Sequence, residues 1–222
     1  MCFSETQSYI NTVILFIASI YLYPKYRLST PLIFLALKDL IQGLSYRNIK
    51  KNKSTQFLTS LSWIHICFQP LFFNIFLSYF SKKFKYWNII FCICIIFGLY
   101  YLTILNEFDI QNDPDCIKKK EDDFCSKNTM SYIGKYHIGY KFKRDKTLIN
   151  FLDIFYFVIM IIPSFFTNSR ILSILWTLFV GLIYILFHNI GSGEQAAIWC
   201  FLSIVYMIPI SVFNKQILKY LS

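Results

Sequence analysis

Two stretches of this chain carry ionisable and amide side chains inside otherwise apolar runs, where each needs a partner or a purpose. Asp39 and Gln42 stand at i and i+3, so a helix puts them on one face, with Lys38 beside them. Ser62, His65 and Gln69 are spaced by three and four residues and form a single stripe. Asp153 lies about one turn inside a later run, His188 closes another with Asn189, and Glu194 opens the last with Gln195. If the helices converge, Asp39, Gln42, His65, Gln69, Asp153, His188 and Glu194 line one polar cavity. Carboxylates and imidazoles in such a cavity can relay protons, coordinate a cation or activate water. The competing reading is packing: polar side chains that hydrogen-bond across helices at about 1–2 kcal/mol each. Packing suits Gln42, Ser62 and Gln69. Asp153, His188 and Glu194 lie near helix ends, within reach of headgroups or water. Asp39 and His65 are the deepest and are the strongest functional candidates. Lys38 either snorkels or pairs with an acid such as Asp153.

Several chemistries lack their residues. No HExxH or His-x3-His spacing places two metal ligands on one helix face, so no metal and no cofactor is expected. A metal-assisted hydrolase built on His65, His188 and Asp153 stays as an alternative. No Gly-x-Ser-x-Gly elbow is present, and Gly191-Ser192-Gly193 reads as a turn. Lys215 and Lys219 sit too near the end of the last run for a retinal Schiff base.

The elements that would position these residues are helices in lipid. Hydrophobic residues make up 56% of the 222-residue chain and charged residues 15%, too little polar surface to cover a soluble core of that size. Apolar runs at about 8–24, 29–46, 55–80, 86–106, 149–167, 170–190 and 194–213 predict an all-α, polytopic membrane bundle of about seven transmembrane helices in a single domain. Pro70 and Pro163 fall inside runs and predict kinks. The hydrophilic loop at about 107–148 joins the fourth and fifth helices and is too long to be a plain connection, so it is either locally folded or mobile.

The net charge of +10 sits in short clusters between the apolar runs, which points to a bilayer as partner and away from nucleic acid. Lys25, Arg27, Lys82, Lys83, Lys85, Arg170, Lys215 and Lys219 fall on one side of the layout and Arg47, Lys50, Lys51 and Lys53 on the other. The positive-inside rule then puts the N-terminus and the long loop outside and the C-terminus in the cytoplasm. Cys116 and Cys125 lie in that loop and read as a disulfide if it is extracytoplasmic. Cys67, Cys92, Cys94 and Cys200 read as small apolar fillers, and Cys2 as either acylated or free.

Four short motifs carry a resemblance. Met1-Cys2-Phe3-Ser4 resembles the opening of a family of multi-pass membrane proteins of no established activity, with members in bacteria and large DNA viruses. Leu40-Ile41-Gln42-Gly43-Leu44 resembles its second-helix motif, with Gln42 where that family has Glu. His65-Ile66-Cys67-Phe68-Gln69-Pro70 resembles its His-x-x-Phe-Trp-Pro motif, with Gln69 in place of Trp. Trp199-Cys200-Phe201 resembles a Trp-Cys-Phe motif on the last helix. The resemblance implies a membrane bundle, marks Cys2, His65, Pro70, Trp199 and Cys200 as motif positions, and supplies no activity. Three function classes follow: a transporter, channel or receptor-like bundle with a polar cavity, the metal-assisted hydrolase, and a structural or accessory membrane protein.

Overall fold

The computed structural model of the chain describes residues 4–49, 52–81, 84–103, 125–143, 146–168, 170–187 and 192–213. Among them are seven α-helices: α1 Glu5–Tyr21, α2 Tyr26–Asn48, α3 Asn52–Tyr79, α4 Trp87–Thr103, α5 Lys146–Ile161, α6 Arg170–Phe187 and α7 Ser192–Val212. They match the seven apolar runs in order and approximate extent. One of them, over Lys53–Tyr79 in α3, is long and apolar enough by itself to cross a bilayer. Trp87–Thr103, Ile154–Phe166, Leu172–Leu182 and Ala196–Val212 are apolar and shorter.

The fold is mostly helical rather than all-α. Strands β1 Cys125–Ile133 and β2 Ile138–Lys143 form an antiparallel hairpin inside the long loop, pairing Ser131 with Tyr140 and Ile133 with Ile138. The run Ile138-Gly139-Tyr140-Lys141-Phe142 alternates apolar with small or charged residues, which is strand periodicity. Ile138, Tyr140 and Phe142 are fully buried and join Trp63 of α3, Tyr101 of α4 and Ala197 of α7 in one core cluster. The Trp63 ring lies 4.8 Å from both Phe142 and Tyr101, and Thr59 meets Ser131 through their hydroxyls at 2.7 Å. A larger core cluster draws on all seven helices around Phe73, Phe76, Trp176, Trp199 and Met207.

The helix ends gather in two groups. At one end Arg27, just after the α1–α2 turn, donates to the Ser78 carbonyl, the Asn168 N–H donates to the Phe80 carbonyl at 3.0 Å, and the Ser81 hydroxyl donates to the Phe166 carbonyl at 2.6 Å. At the other end the hairpin meets the close of α2, the first half of α3 and the start of α7. Successive helices therefore alternate in direction. Small residues permit the close crossings: a Cβ on Gly98 of α4 would lie 2.9 Å from the Cys67 carbonyl oxygen of α3, and one on Gly43 of α2 would lie 2.8 Å from the Tyr9 ring of α1.

Pro163 turns the end of α5 into a 3-10 segment, Ile162–Phe166, and leaves the Ile159 carbonyl without its intrahelical N–H donor. Asn74 of α3 repairs this, donating from Nδ2 to the Ile159 carbonyl at 3.1 Å, and Trp176 Nε1 donates to the neighbouring Met160 carbonyl at 2.8 Å. Cys116 lies outside the described residues, and so does its expected pairing with Cys125; no disulfide occurs among the described residues.

Replacing Asn74 with Ala strands a buried carbonyl. The expected loss is about 1–3 kcal/mol of stability, read by chemical denaturation followed by circular dichroism. A loss below about 0.5 kcal/mol would show that the α3–α5 clamp is not structural.

Candidate functional site

α2 brings the most polar part of the molecule to its centre. Lys38 is 2% exposed, and Asp39 and Gln42 are each 1% exposed. The helix forms there because Leu28, Leu32, Leu35 and Ala36 give it an apolar inner side, and the polar triplet continues that side one turn further on. Lys38 does not snorkel, and the side chain of Asp153, its expected partner, lies outside the described residues. The Lys38 ammonium donates across the bundle to the Ala197 carbonyl of α7 at 3.2 Å. Its charge also reaches Asp39 on its own helix, His65 on α3 and His137 in the hairpin turn.

Asp39 faces α1, where Asn11 hydrogen-bonds its carboxylate and Gln7 Nε2 in turn donates to Asn11 Oδ1 at 2.8 Å. Ser8, Asn11, Thr12 and Ser19 lie on the buried side of α1, so its polar stripe faces inward. Thr12 accommodates burial by donating to the Ser8 carbonyl at 2.8 Å. His65 stacks on Phe34 of α2 with ring centroids 3.6 Å apart. Phe34 also stacks on Phe72 with ring centroids 3.8 Å apart, and Pro31, Leu35, Phe73 and Met207 close around the pair. Among the described residues, Asp39 Oδ2, both amide atoms of Gln42 and His65 Nε2 are buried with no protein hydrogen-bond partner.

Glu194 is part of a different contact. It sits in the first turn of α7 and its carboxylate accepts from the backbone N–H groups of Lys135 at 3.0 Å, of Tyr136 and of His137 at 2.8 Å. These are charge-assisted bonds from consecutive residues of the hairpin turn. Gly134 is what lets the carboxylate approach, because a Cβ there would collide with the Glu194 carboxylate. Beside it Tyr46, at the close of α2, receives the Ile138 N–H on its hydroxyl at 2.8 Å and stands 3.4 Å from His137 Nδ1. The same Ile138 N–H reaches His137 Nδ1 at 2.7 Å, so that nitrogen is an acceptor and the neutral ring carries its proton on Nε2. Burial, reinforced by the Lys38 charge, pushes the His137 pKa down to about 3.

The seven residues expected to share one cavity therefore divide. Asp39, Gln42 and His65 belong to the polar centre around Lys38. Gln69, one helical turn beyond His65, accepts from the Tyr156 hydroxyl of α5 at 2.9 Å and serves helix packing. Glu194 holds the hairpin instead of reaching headgroups or water. Asp153 lies on α5 with its side chain outside the described residues, and His188 lies outside them altogether. Among the described residues no three His, Cys, Asp or Glu side chains gather as a metal site would need. Asn11, Tyr46 and His137 were not singled out from the sequence. The i, i+4 spacing of Gln7 and Asn11 carried a signal for the first; nothing local carried one for the other two.

A family model matches residues 6–221, nearly the whole chain. The chain belongs to DUF5765, a family of unknown function. No curated protein and no solved structure matches it. The motif positions of this DUF5765 chain have distinct physical roles. Gly43 admits the Tyr9 ring, Pro70 is buried within α3, and Trp199 packs against Trp176 with ring centroids 6.3 Å apart. His65 and Gln42 are the motif residues that join the polar centre. Cys2 and the Cys200 side chain lie outside the described residues.

The His137 shift fixes a sign. Its folded pKa of about 3 lies below the usual 6.5, so the undocked hairpin takes up the proton first. The docked hairpin keeps its full stability above about pH 6.5 and loses it as pH falls toward 3. Stability measured from pH 7 to 4 is expected to fall less steeply in His137→Gln than in the unmodified chain. Parallel curves would place the ring in contact with solvent.

Proposed function

We propose that this DUF5765 chain is a multi-pass integral membrane protein whose polar centre takes up a small polar solute or ion. The membrane part rests on where the two kinds of surface lie. Polar residues of α1 point inward, while Ile17 and Ile20 on its outer side are 63% and 72% exposed. Ile89, Ile93, Ile96 and Leu99 on α4 and Ile174, Leu178, Leu182 and Ile185 on α6 are exposed in the same way. A charged pair within and large aliphatic side chains without is the arrangement expected of a bundle solvated by lipid. α3 is the helix that meets the length and composition of a membrane span alone, and the alternating helix directions suit neighbours that cross beside it. The flanking lysines and arginines support an extracytoplasmic N-terminus and hairpin and a cytoplasmic C-terminus.

The uptake part rests on the unpaired atoms. A buried carboxylate oxygen, a whole side-chain amide and an imidazole nitrogen carry a cost that a protein retains where those atoms have work to do. Asp39 Oδ2, Gln42 Oε1 and His65 Nε2 can each accept from a solute, and Asp39 and His65 can also take a proton. Lys38 keeps the region near neutrality beside Asp39, which suits a proton or a small polar molecule better than a multivalent ion. We read Asp39 and His65 as the groups that bind, and Gln42 as the group that orients.

Two measurements test the reading. In vesicles loaded with a pH-sensitive dye, an imposed proton gradient is expected to dissipate faster with the protein than without it. Asp39→Asn is expected to slow that rate at least tenfold while leaving the chain folded. Equal rates in protein-containing and empty vesicles would defeat proton conduction by this site. For orientation, a fluorescent protein fused to the C-terminus is expected to fluoresce and a phosphatase fused there to stay inactive; the reverse pattern would invert the topology.

A further inference from the structure

The end of the bundle away from the hairpin carries charge of one sign. Arg27 meets α3 there, and the Asn168–Phe80 and Ser81–Phe166 contacts bring the α3–α4 and α5–α6 turns to the same end. Lys25, Arg27, Lys85 and Arg170 lie in or beside these turns, and residues 20–30, 78–90 and 162–173 hold no Asp or Glu. Arg27 stands out because its side chain is fixed by the protein. Its Nη1 donates to the Ser78 carbonyl at 3.3 Å, in the last turn of α3, and its Nε to the Tyr26 hydroxyl at 2.9 Å. A guanidinium has five N–H donors, so three are left without a partner among the described residues, in a fork already oriented.

An apolar stripe leads to the same turn. Ile10, Val13, Ile14, Ile17, Ile20 and Tyr21 share one face of α1, and each is at least 46% exposed. From Ile10 to Ile20 the stripe rises about 15 Å, half of a hydrocarbon core ~30 Å thick, which is the depth of one leaflet. Where the stripe ends, Tyr21, Tyr23 and Tyr26 are exposed, rings of the kind that sit at headgroup level. Along α1 and into α2 the surface thus passes from aliphatic to aromatic to cationic, the order in which a phospholipid presents acyl chain, glycerol and phosphate.

We propose that the α1–α2 corner binds an anionic phospholipid, with its phosphate on Arg27 and an acyl chain along the Ile10–Ile20 stripe. The proposal rests on the membrane reading of the chain and adds the class of lipid and the place that holds it. Lys25, Lys85 and Arg170 supply a general attraction for anionic headgroups. Arg27 supplies the geometry, since its planar fork matches two phosphate oxygens. A choline headgroup brings its own cation to an end that has no acid to receive it, so a zwitterionic lipid is the weaker ligand. Free phosphate gains the fork and forgoes the stripe. The topology proposed above puts this end at the cytoplasmic leaflet, where anionic lipid is concentrated.

Native mass spectrometry of the full chain, released from detergent with equal amounts of phosphatidylglycerol and phosphatidylcholine, counts the lipid that stays bound. Phosphatidylglycerol is expected to exceed phosphatidylcholine by about fivefold. Arg27→Gln is expected to lower phosphatidylglycerol retention by about fivefold. Lys85→Gln removes the same charge from the same end without touching the fork, and its effect is expected to stay below about twofold. A double variant, Ile17→Ala with Ile20→Ala, leaves Arg27 and its protein contacts in place and is expected to lower retention by about threefold. Circular dichroism checks that each variant is folded; should Arg27→Gln not fold, the double variant and the two-lipid comparison decide. Equal retention of the two lipids, or equal losses in Arg27→Gln and Lys85→Gln, would overturn the site. Full retention in the double variant, or displacement of the lipid by millimolar inorganic phosphate, would overturn the lipid as its occupant. A chain recovered from membranes that shows no lipid preference ends this proposal and leaves the membrane reading standing, whereas a chain soluble without detergent ends both.

Discussion

A buried ammonium sets the terms for the centre of this molecule. Lys38 cannot reach water, so it must be met by oxygen and by negative charge inside the fold. The Ala197 carbonyl supplies the oxygen and Asp39 the charge, and those two requirements tie α2 to α7 and to α1. α7 must pack close enough for its backbone to be touched, and α1 must present Asn11 to the other side of the pair. His65, Tyr46 and the hairpin then surround a centre whose placement is already fixed. A Leu at position 38 would remove the demand and with it much of the reason for the particular arrangement of helices around it.

The helices were legible because apolar run length is a one-dimensional signal. Gly, Pro and lysine clusters mark where each run stops, and seven runs gave seven helices near the expected bounds. The interior of the bundle was only partly legible. Asp39 and His65 stood out because each is a single ionisable residue far from a helix end. Glu194 looked terminal and therefore solvated, but its partners are backbone N–H groups from a segment more than fifty residues away, and backbone groups leave no mark in a residue pattern. The Ala197 carbonyl that Lys38 meets was hidden for the same reason, while the acid beside it, Asp39, is its neighbour in sequence. Gln69, expected either in the cavity or as packing, has its amide oxygen on the Tyr156 hydroxyl.

The hairpin is the local fold that the length of the segment left open, and the charges there hid its form. The strand pattern lies in Ile138, Tyr140 and Phe142, three residues in a background of lysine and glycine, too short to outweigh the composition around it. Its stability comes from outside itself, from Trp63 and Tyr101, as an isolated two-stranded hairpin is marginal in water. Aromatic side chains of α3 and α4 are therefore also half of the small core under the hairpin.

The distance along the chain between the two halves of the Glu194 contact has a bearing on how the molecule is made. The hairpin tip precedes Glu194 by 57 to 59 residues, and Lys38 precedes Ala197 by 159. A ribosome delivers α2, α3, α4 and the hairpin before the segment that secures them exists. Lys38 must wait without its carbonyl and the tip without its carboxylate until the last helix emerges. α7 thus acts as a keystone: one late arrival gives an early buried ammonium its acceptor and fastens an early surface element, so a chain truncated before it is left with both defects at once and is a ready substrate for quality-control proteases.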